Sequence, residues 1–346
     1  MEQRRVGRSG LWVSRIGLGT MTWGRDTGED DAAAQLTAFA DAGGTLIDTA
    51  DSYAGGDSEA IIGRLLRDVV PRSEIVLATK ATVVAGGAFP GARAAAGPVD
   101  AARPGGHASR RDLLAALDAS LARLGTDHVD LWQPSGWDGA TPLEETLSAL
   151  DHAVSTGRAR YAGVSNYAGW QLAWAAATQR NLPGRAPITA AEAEYSLVAR
   201  EPERELLPAA AGLGVGVLAW SPLGRGVLTG KYRTGIPADS RAATPHLGAF
   251  VQPYLDDRGR AIVESVSTAA EGLGASPLAV ALSWVRDRPG VAAVIVGART
   301  TGQLTGILDG DEVTLPQEIR AALDDVSAFG YPERRGGPAL SPDASR

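Results

Sequence analysis

Cysteine is absent from all 346 residues. Disulfides, thiolate metal sites and a cysteine nucleophile are thereby excluded, and no metal is expected. Positive charge is in deficit: the net charge is −7, which offers no attraction to nucleic acid or to an anionic membrane. Long apolar runs are missing too, since none approaches the roughly 18 residues a bilayer-spanning helix needs. The opening MEQRRVGRSG has no apolar core of the kind a secretory signal carries. These absences point to a cytoplasmic protein with neither nucleic acid nor membrane as a partner. One motif is incomplete. Gly17 and Gly19 are followed by Thr22, where a dinucleotide-binding GxGxxG would need a third glycine, so a doubly wound sheet lacks its fingerprint. These glycines read as close-packed strand positions.

What is present is ordinary for a globular protein: 44% hydrophobic and 21% charged residues. The length allows two domains or one α/β barrel with insertions. Eight short apolar runs recur, at 15–20, 45–48, 74–80, 128–133, 160–166, 188–195, 215–221 and 291–297. Most are continuously apolar or small rather than alternating, as in parallel strands buried on both faces. Helical patterns lie between them, at 30–44, 58–68, 109–125, 141–157, 170–180, 203–213, 261–273, 277–288 and 301–308. Ser109 and Gly125 bracket one as N-cap and C-terminal stop. Thr141, Pro142 and Glu145 read as cap, first helical residue and capping-box partner of another. Eight βα units with right-handed crossovers close a (β/α)8 TIM barrel. A hairpin over 1–14 is expected to plug its bottom, and a helix over 316–328 to pack outside. The domain reading is one barrel over 1–330 and a disordered tail over 331–346. Two long loops, 85–109 and 232–254, read as binding loops.

In a barrel of this kind the chemistry sits at the carboxyl ends of the strands. Those ends carry Asp48, with Tyr53 in the loop beyond, then Lys80, Ser135, Ser165-Asn166, Glu192 and Glu194, Trp220-Ser221, and Gly297-Ala298-Arg299. Asp48, Tyr53 and Lys80 fit together chemically. An ammonium within about 4–6 Å lowers a phenol's pKa, and a carboxylate keeps that ammonium charged and in place. The result is a proton donor. An Asp–Lys bridge between adjacent strands beside a packed tyrosine is the plain structural alternative.

The stretches GLGTMTWG (17–24), LIDTADSYAGGDSEAIIGRLLR (46–67), VLATK (76–80), GVSNY (163–167), EYSLVAR (194–200), AWSPLGRGVLTGKY (219–232) and IVGARTTGQL (295–304) resemble the aldo-keto reductase family, in its potassium-channel β-subunit-like branch. The resemblance spans roughly residues 3–328. It implies NADPH-dependent reduction of an aldehyde or ketone, with Tyr53 as general acid tuned by Lys80 and Asp48. For the cofactor it implies Thr20 and Met21 at the first strand, and Ser165, Asn166 and residue 192 at the nicotinamide. Trp220 would stack on the ring. Ser221, Pro222, Leu223, Gly224 and Gly226 would cradle the pyrophosphate, neutralised by Lys231 or Arg225. Gly297, Arg299 and Gln303 would lie at the adenosine end, with Arg299 on the 2′-phosphate and so NADP(H) over NAD. Trp23 and Trp137 would line the substrate pocket with Tyr53 and Ser135. Monomers and rings both occur in such families, so a homo-oligomer stays open.

Three positions depart from the family's pattern. Ser135 stands where a histidine usually binds the carbonyl oxygen. A serine hydroxyl donates one hydrogen bond but is shorter, and loss of such a donor costs about 10²–10³ in rate. Tyr53 could then suffice alone, or the pocket could take a bulky ketone, or the bond reduced could be an activated C=C of an enone. His107 or His246 could also reach in from a long loop. Glu192 replaces a glutamine. If it faces the nicotinamide it favours the positively charged oxidised ring; if it is turned aside and solvated it does nothing. Ile307 replaces an asparagine that serves adenine. A cofactor-binding sensor without catalysis is the alternative to an enzyme.

Overall fold

The computed structural model describes residues 1–83 and 108–328. Most of the loop expected at 85–109, including His107, and the tail expected at 331–346 lie outside the described residues. The chain opens with a hairpin, β1 (Gln3–Arg5) against β2 (Trp12–Ser14). Eight parallel strands follow: β3 (Ile16–Gly19), β4 (Leu46–Asp48), β5 (Val76–Ala81), β6 (Val129–Pro134), β7 (Ala159–Ser165), β8 (Ile188–Glu194), β9 (Gly216–Trp220) and β10 (Val291–Val296). They close into a barrel in sequence order, with β10 beside β3. Each strand matches one of the eight apolar runs to within two residues, because burial on both faces leaves an unbroken apolar signal.

Helices cover the outside, among them Glu29–Asp41, Asp57–Asp68, Arg110–Leu124, Leu143–Ser155 and Gly169–Arg180. The last, Gln317–Ser327, packs against Asp257–Leu273. Ser109 caps its helix by accepting from the Asp112 N–H at 3.1 Å, and Gly125 ends it in left-handed conformation, φ 63°. Thr141 does not cap the next helix. Its hydroxyl donates to Asp138 at 2.6 Å, Pro142 occupies the cap, and the Glu145 carboxylate accepts from the Arg110 N–H.

The hairpin closes the barrel's bottom. Val6, Leu11 and Val13 join Leu46, Ala78, Leu131, Ala190 and Leu218 in one interior cluster. The Arg8 N–H donates to the Gly214 carbonyl at 2.8 Å. A Cβ at Gly7 would meet that carbonyl oxygen at 2.3 Å, so the seal requires glycine there. Gly17 and Gly19 are close-packed, since a Cβ would lie 2.7 Å and 2.9 Å from Ile295. With the lower end sealed, the carboxyl ends of the strands form the open face, and a cleft of about 580 Å³ lies there.

Candidate active site

At the centre of the cleft, Lys80 at the end of β5 is only 4% exposed. Its ammonium donates to both oxygens of Asp48 on β4, at 2.6 and 2.7 Å, and to Glu192 on β8 at 3.2 Å. Strand register sets the spacing: Asp48 pairs with Ala78 and Glu192 with Ser165. The loop after β4 is laced onto β5, since the Asp51 N–H donates to the Lys80 carbonyl and its carboxylate accepts from the Thr82 N–H, both at 3.0 Å. That lacing brings the Tyr53 ring centroid to 5.7 Å from the Lys80 ammonium. Tyr53 stays half-buried, with its ring on the cleft wall.

The electrostatics differ from the expectation of a lowered phenol pKa. Burial raises the Tyr53 pKa above its ordinary value. Lys80 opposes that, but Asp48, Glu192 and Asp51 reinforce it. Burial is the largest cause, and the three carboxylates add to it against the pull of the ammonium. The direction favours the neutral phenol. Asp48 is pushed up to about 7 by burial and by Glu192, against the pull of Lys80. Lys80 is held above its ordinary value: burial works against the ammonium, and the two carboxylates outweigh it.

Glu192 is not turned aside and solvated. It is 3% exposed, bound to Lys80, and accepts from the Gln133 side-chain amide at 3.0 Å. Ser135 knits strand ends together. Its N–H donates to the Ala81 carbonyl at 2.9 Å, its hydroxyl oxygen accepts from the Val83 N–H at 2.8 Å, and its carbonyl accepts from the Asn166 amide at 2.9 Å. The hydroxyl proton is left to donate. Asn166 sits in left-handed conformation, φ 57°, and accepts from the Trp220 indole N–H at 3.0 Å. Trp220 in turn stacks on Phe250.

The other arm of the cleft is basic. Lys231, Arg241 and Arg299 all line it. The Lys231 pKa is lowered to about 8 by burial and by the charges of Arg241 and Arg299. Arg241 is lowered by the same two causes, burial and Arg299. Among the described residues none of the three forms an ion pair. Arg241 donates to the Gly297 carbonyl at 3.1 Å, and Arg299 to the Asp239 carbonyl. Between the arms, Ser221, Gly224, Arg225 and Gly226 all have positive φ, from 52° to 95°. A Cβ at Gly226 would lie 3.1 Å from the Lys231 ammonium. A chain curled this way presents N–H groups on one side, as anion-binding nests do, although here the Gly224 N–H donates to the Ser221 carbonyl and the Gly226 N–H to the Leu223 carbonyl. A concave backbone with cations beside it is chemically suited to an anionic group.

Met21, Ser165, Pro222, Leu223, Gly297 and Gln303 line the cleft as expected, and so does Ile307. The Gln303 side chain accepts from the Arg299 N–H at 2.9 Å, at the start of helix Thr301–Asp309. Three expected residues do not line it. Trp23 is fully buried, its indole donating to Gln35 at 3.2 Å, so it belongs to the core rather than to a substrate pocket. The Thr20 hydroxyl donates to the Asp48 carbonyl at 3.1 Å and braces that strand end instead of facing a cofactor. Gly224 bends the chain behind the cleft wall. Arg225 is held by Glu194 at 2.7 and 2.5 Å and stacks on Phe250, so Lys231 is the better placed of the two to neutralise a phosphate. His246 faces Asp26 at 3.2 Å and does not line the cleft. Sequence reasoning missed Arg241. A lone arginine in a Gly/Pro-rich loop carries no periodicity, and only the folded loop brings it to Gly297.

A closed parallel barrel whose carboxyl-end cleft joins a Tyr–Lys–Asp group to a cation-lined arm has the architecture of a barrel enzyme. The chain belongs to the aldo/keto reductase family, whose model matches residues 15–328, and it is an oxidoreductase of that family. An oxidoreductase of Bacillus subtilis (strain 168) described as uncharacterized, YrpG, is 36% identical over 333 residues, covering 94% of this chain and 96% of that protein. A probable voltage-gated potassium channel subunit beta of Oryza sativa subsp. japonica is 36% identical, covering 95% of this chain and 96% of its own. The corresponding protein of Arabidopsis thaliana is 35% identical, covering 88% and 89%. No described helix is long and apolar enough to cross a membrane, and no described group of residues could hold a metal ion.

Proposed function

We propose that the protein is an NADPH-dependent carbonyl reductase in which Tyr53 is the general acid. The observation that carries this reading is the buried clamp of Lys80 by Asp48, at 2.6 and 2.7 Å, beside a neutral tyrosine that opens on the cleft. The cation-lined arm supports NADP(H) over NAD(H), because Lys231, Arg241 and Arg299 offer more positive charge than a pyrophosphate alone requires. Ser165, Asn166, Glu192 and Trp220 would hold the nicotinamide, the curled chain at 221–226 the pyrophosphate, and the three cations the phosphates. The cofactor supplies the hydride.

The protein's own residues do the rest. Tyr53 donates its proton to the carbonyl oxygen as negative charge develops there. Lys80 and Asp48 hold that end of the site in register. Ser135 can place a second donor on the same oxygen, directly or through one water. Trp137 packs edge-on against Tyr167 with centroids 5.3 Å apart, and on Trp170 at 5.4 Å, forming an aromatic wall where the substrate would enter. A short serine in place of an imidazole leaves room for a bulky ketone, and the same room suits an enone.

The test is consumption of NADPH by the purified protein against a panel of aldehydes, ketones and enones, followed by the loss of reduced-nicotinamide absorbance. Turnover of a carbonyl supports the proposal, and turnover of enones alone moves it to C=C reduction. Tight NADPH binding with no turnover on any member of the panel would favour a redox-sensing subunit. That outcome would accord with relatives described as channel β-subunits.

A further inference from the structure

The buried centre of the cleft holds one positive charge and two carboxylates. Asp48, Lys80 and Glu192 are each less than 5% exposed. No other cation reaches this cluster among the described residues. The groups that face it are Tyr53 and Asp51 from the loop after β4, with Asp51 held by Thr82. Neutral Gln133 on β6 and Ser165 on β7 face Glu192. Glu194, two residues further along β8, is bound by Arg225. With both carboxylates ionised, the trio buries a net negative charge, which is costly in a dry site unless a proton or an opposite charge arrives.

Gln133 meets Glu192 as a neutral donor. Its amide nitrogen donates to Glu192 at 3.0 Å, while its buried amide oxygen has no partner. That neighbour brings no positive charge to offset the second carboxylate.

We infer that Asp48, beside the buried charge of Glu192, acts as a proton store, holding one more proton when the reduced, neutral form of the cofactor is bound than when the oxidised, positively charged form is bound. The inference rests on the NADP(H) reading of the cleft. Carbonyl reduction consumes a hydride and a proton. The C–H bond forms from the hydride, and the O–H bond from the Tyr53 proton. The phenolate left behind is reprotonated from the store through the Lys80 ammonium. Asp48 ends one proton poorer, opposite a ring that has become positive. Charge in the buried centre is thus balanced before and after the reaction. Glu192 is in this sense a positioning residue: its charge favours the proton on Asp48. A neutral glutamine there would not.

Calorimetry of NADPH and of NADP⁺ binding to the full-length protein near neutral pH, in buffers of different ionisation enthalpy, tests the inference. The proton count is read from the slope. Both forms carry the same phosphates, so uptake by Lys231 and its neighbours cancels in the difference. The wild type should take up more protons with NADPH than with NADP⁺, by an amount approaching about one. In Glu192→Gln that difference should vanish, and preference for NADPH over NADP⁺ should rise by about tenfold or more. Binding of both forms to the wild type with equal uptake overturns the inference while leaving the cofactor reading intact. A Glu192→Gln variant that keeps the difference also overturns it. Failure of the wild type to bind either form overturns the cofactor reading and the inference with it. The wild-type measurement decides the matter even if the variant does not fold.

Discussion

At the β4–β5–β8 end of the cleft, Lys80 has two carboxylates within 3.2 Å. At the opposite end, Lys231, Arg241 and Arg299 have no carboxylate at ion-pair distance among the described residues, and burial and mutual repulsion lower the Lys231 pKa to about 8. The first end has more negative charge than it can neutralise; at the second, three cations outnumber the carboxylates that act on them, Asp239 and Asp26. Unpaired charge of one sign in a concave site marks where a ligand of the other sign completes the structure. On the proposed reading the basic arm would take the phosphates and the acidic centre the cationic ring. A dinucleotide phosphate in its oxidised form carries both.

The comparison breaks most sharply at Tyr53. Tyr53→Phe should lower turnover by about 10²–10⁴ and leave dinucleotide affinity within twofold of wild type (~0.4 kcal/mol); steady-state kinetics and fluorescence titration measure the two separately. Lys80→Met is a poorer probe. It would leave two buried carboxylates without a cation, at a cost of about 3–5 kcal/mol, so lost activity would be mixed with lost stability. At the basic end, Arg299→Ala should weaken NADPH binding by roughly 30-fold, near 2 kcal/mol for a charged hydrogen bond, and NADH binding far less. Equal losses would remove the 2′-phosphate from this arm.

The pH dependence sharpens the contrast. A carboxyl raised to about 7 keeps its proton below that pH and loses it as pH rises, so folding stability from Asp48 is greatest at low pH and declines from about 4 through about 7. Reduction should weaken over the same upper limb, because the store empties. Glu192→Gln should move that break out of the neutral range, since Glu192 is one of the causes raising Asp48. A pH–rate profile of kcat/KM in both proteins reads this directly. The smallest effect is expected at Ser135. Ser135→His should raise turnover of a simple aldehyde by about tenfold at most, because the new donor comes at the loss of the bond from the Val83 N–H. An unchanged or lower rate would mean that the serine serves a specialised pocket.

Much of this was legible in the sequence, and the limits have physical causes. The strands were clear because a parallel barrel buries both faces of each strand, and the apolar run is then the strand. The ends of those strands pointed to Asp48, Lys80, Ser135 and Glu192 for the same reason. Direction and pairing were not legible. Trp23 and Thr20 lie one to four residues past Gly19, close enough to join the rim, yet both turn into the wall. The sign of the Tyr53 shift was not legible because its largest cause, burial of the phenol, exists only in the folded cleft, and Glu192 adds to it only once β8 lies beside β7. Arg241 arrives through a loop that has no pattern to read.

The central claim is that one dinucleotide spans both ends of the cleft, with its reacting ring at the acidic centre. A crystal structure with NADP⁺ bound tests it most directly. The nicotinamide should lie against Trp220, over Asp48, Lys80 and Glu192, with its phosphates among Lys231, Arg241 and Arg299. A dinucleotide found in the reverse direction, or with its ring outside the reach of Tyr53, would contradict it.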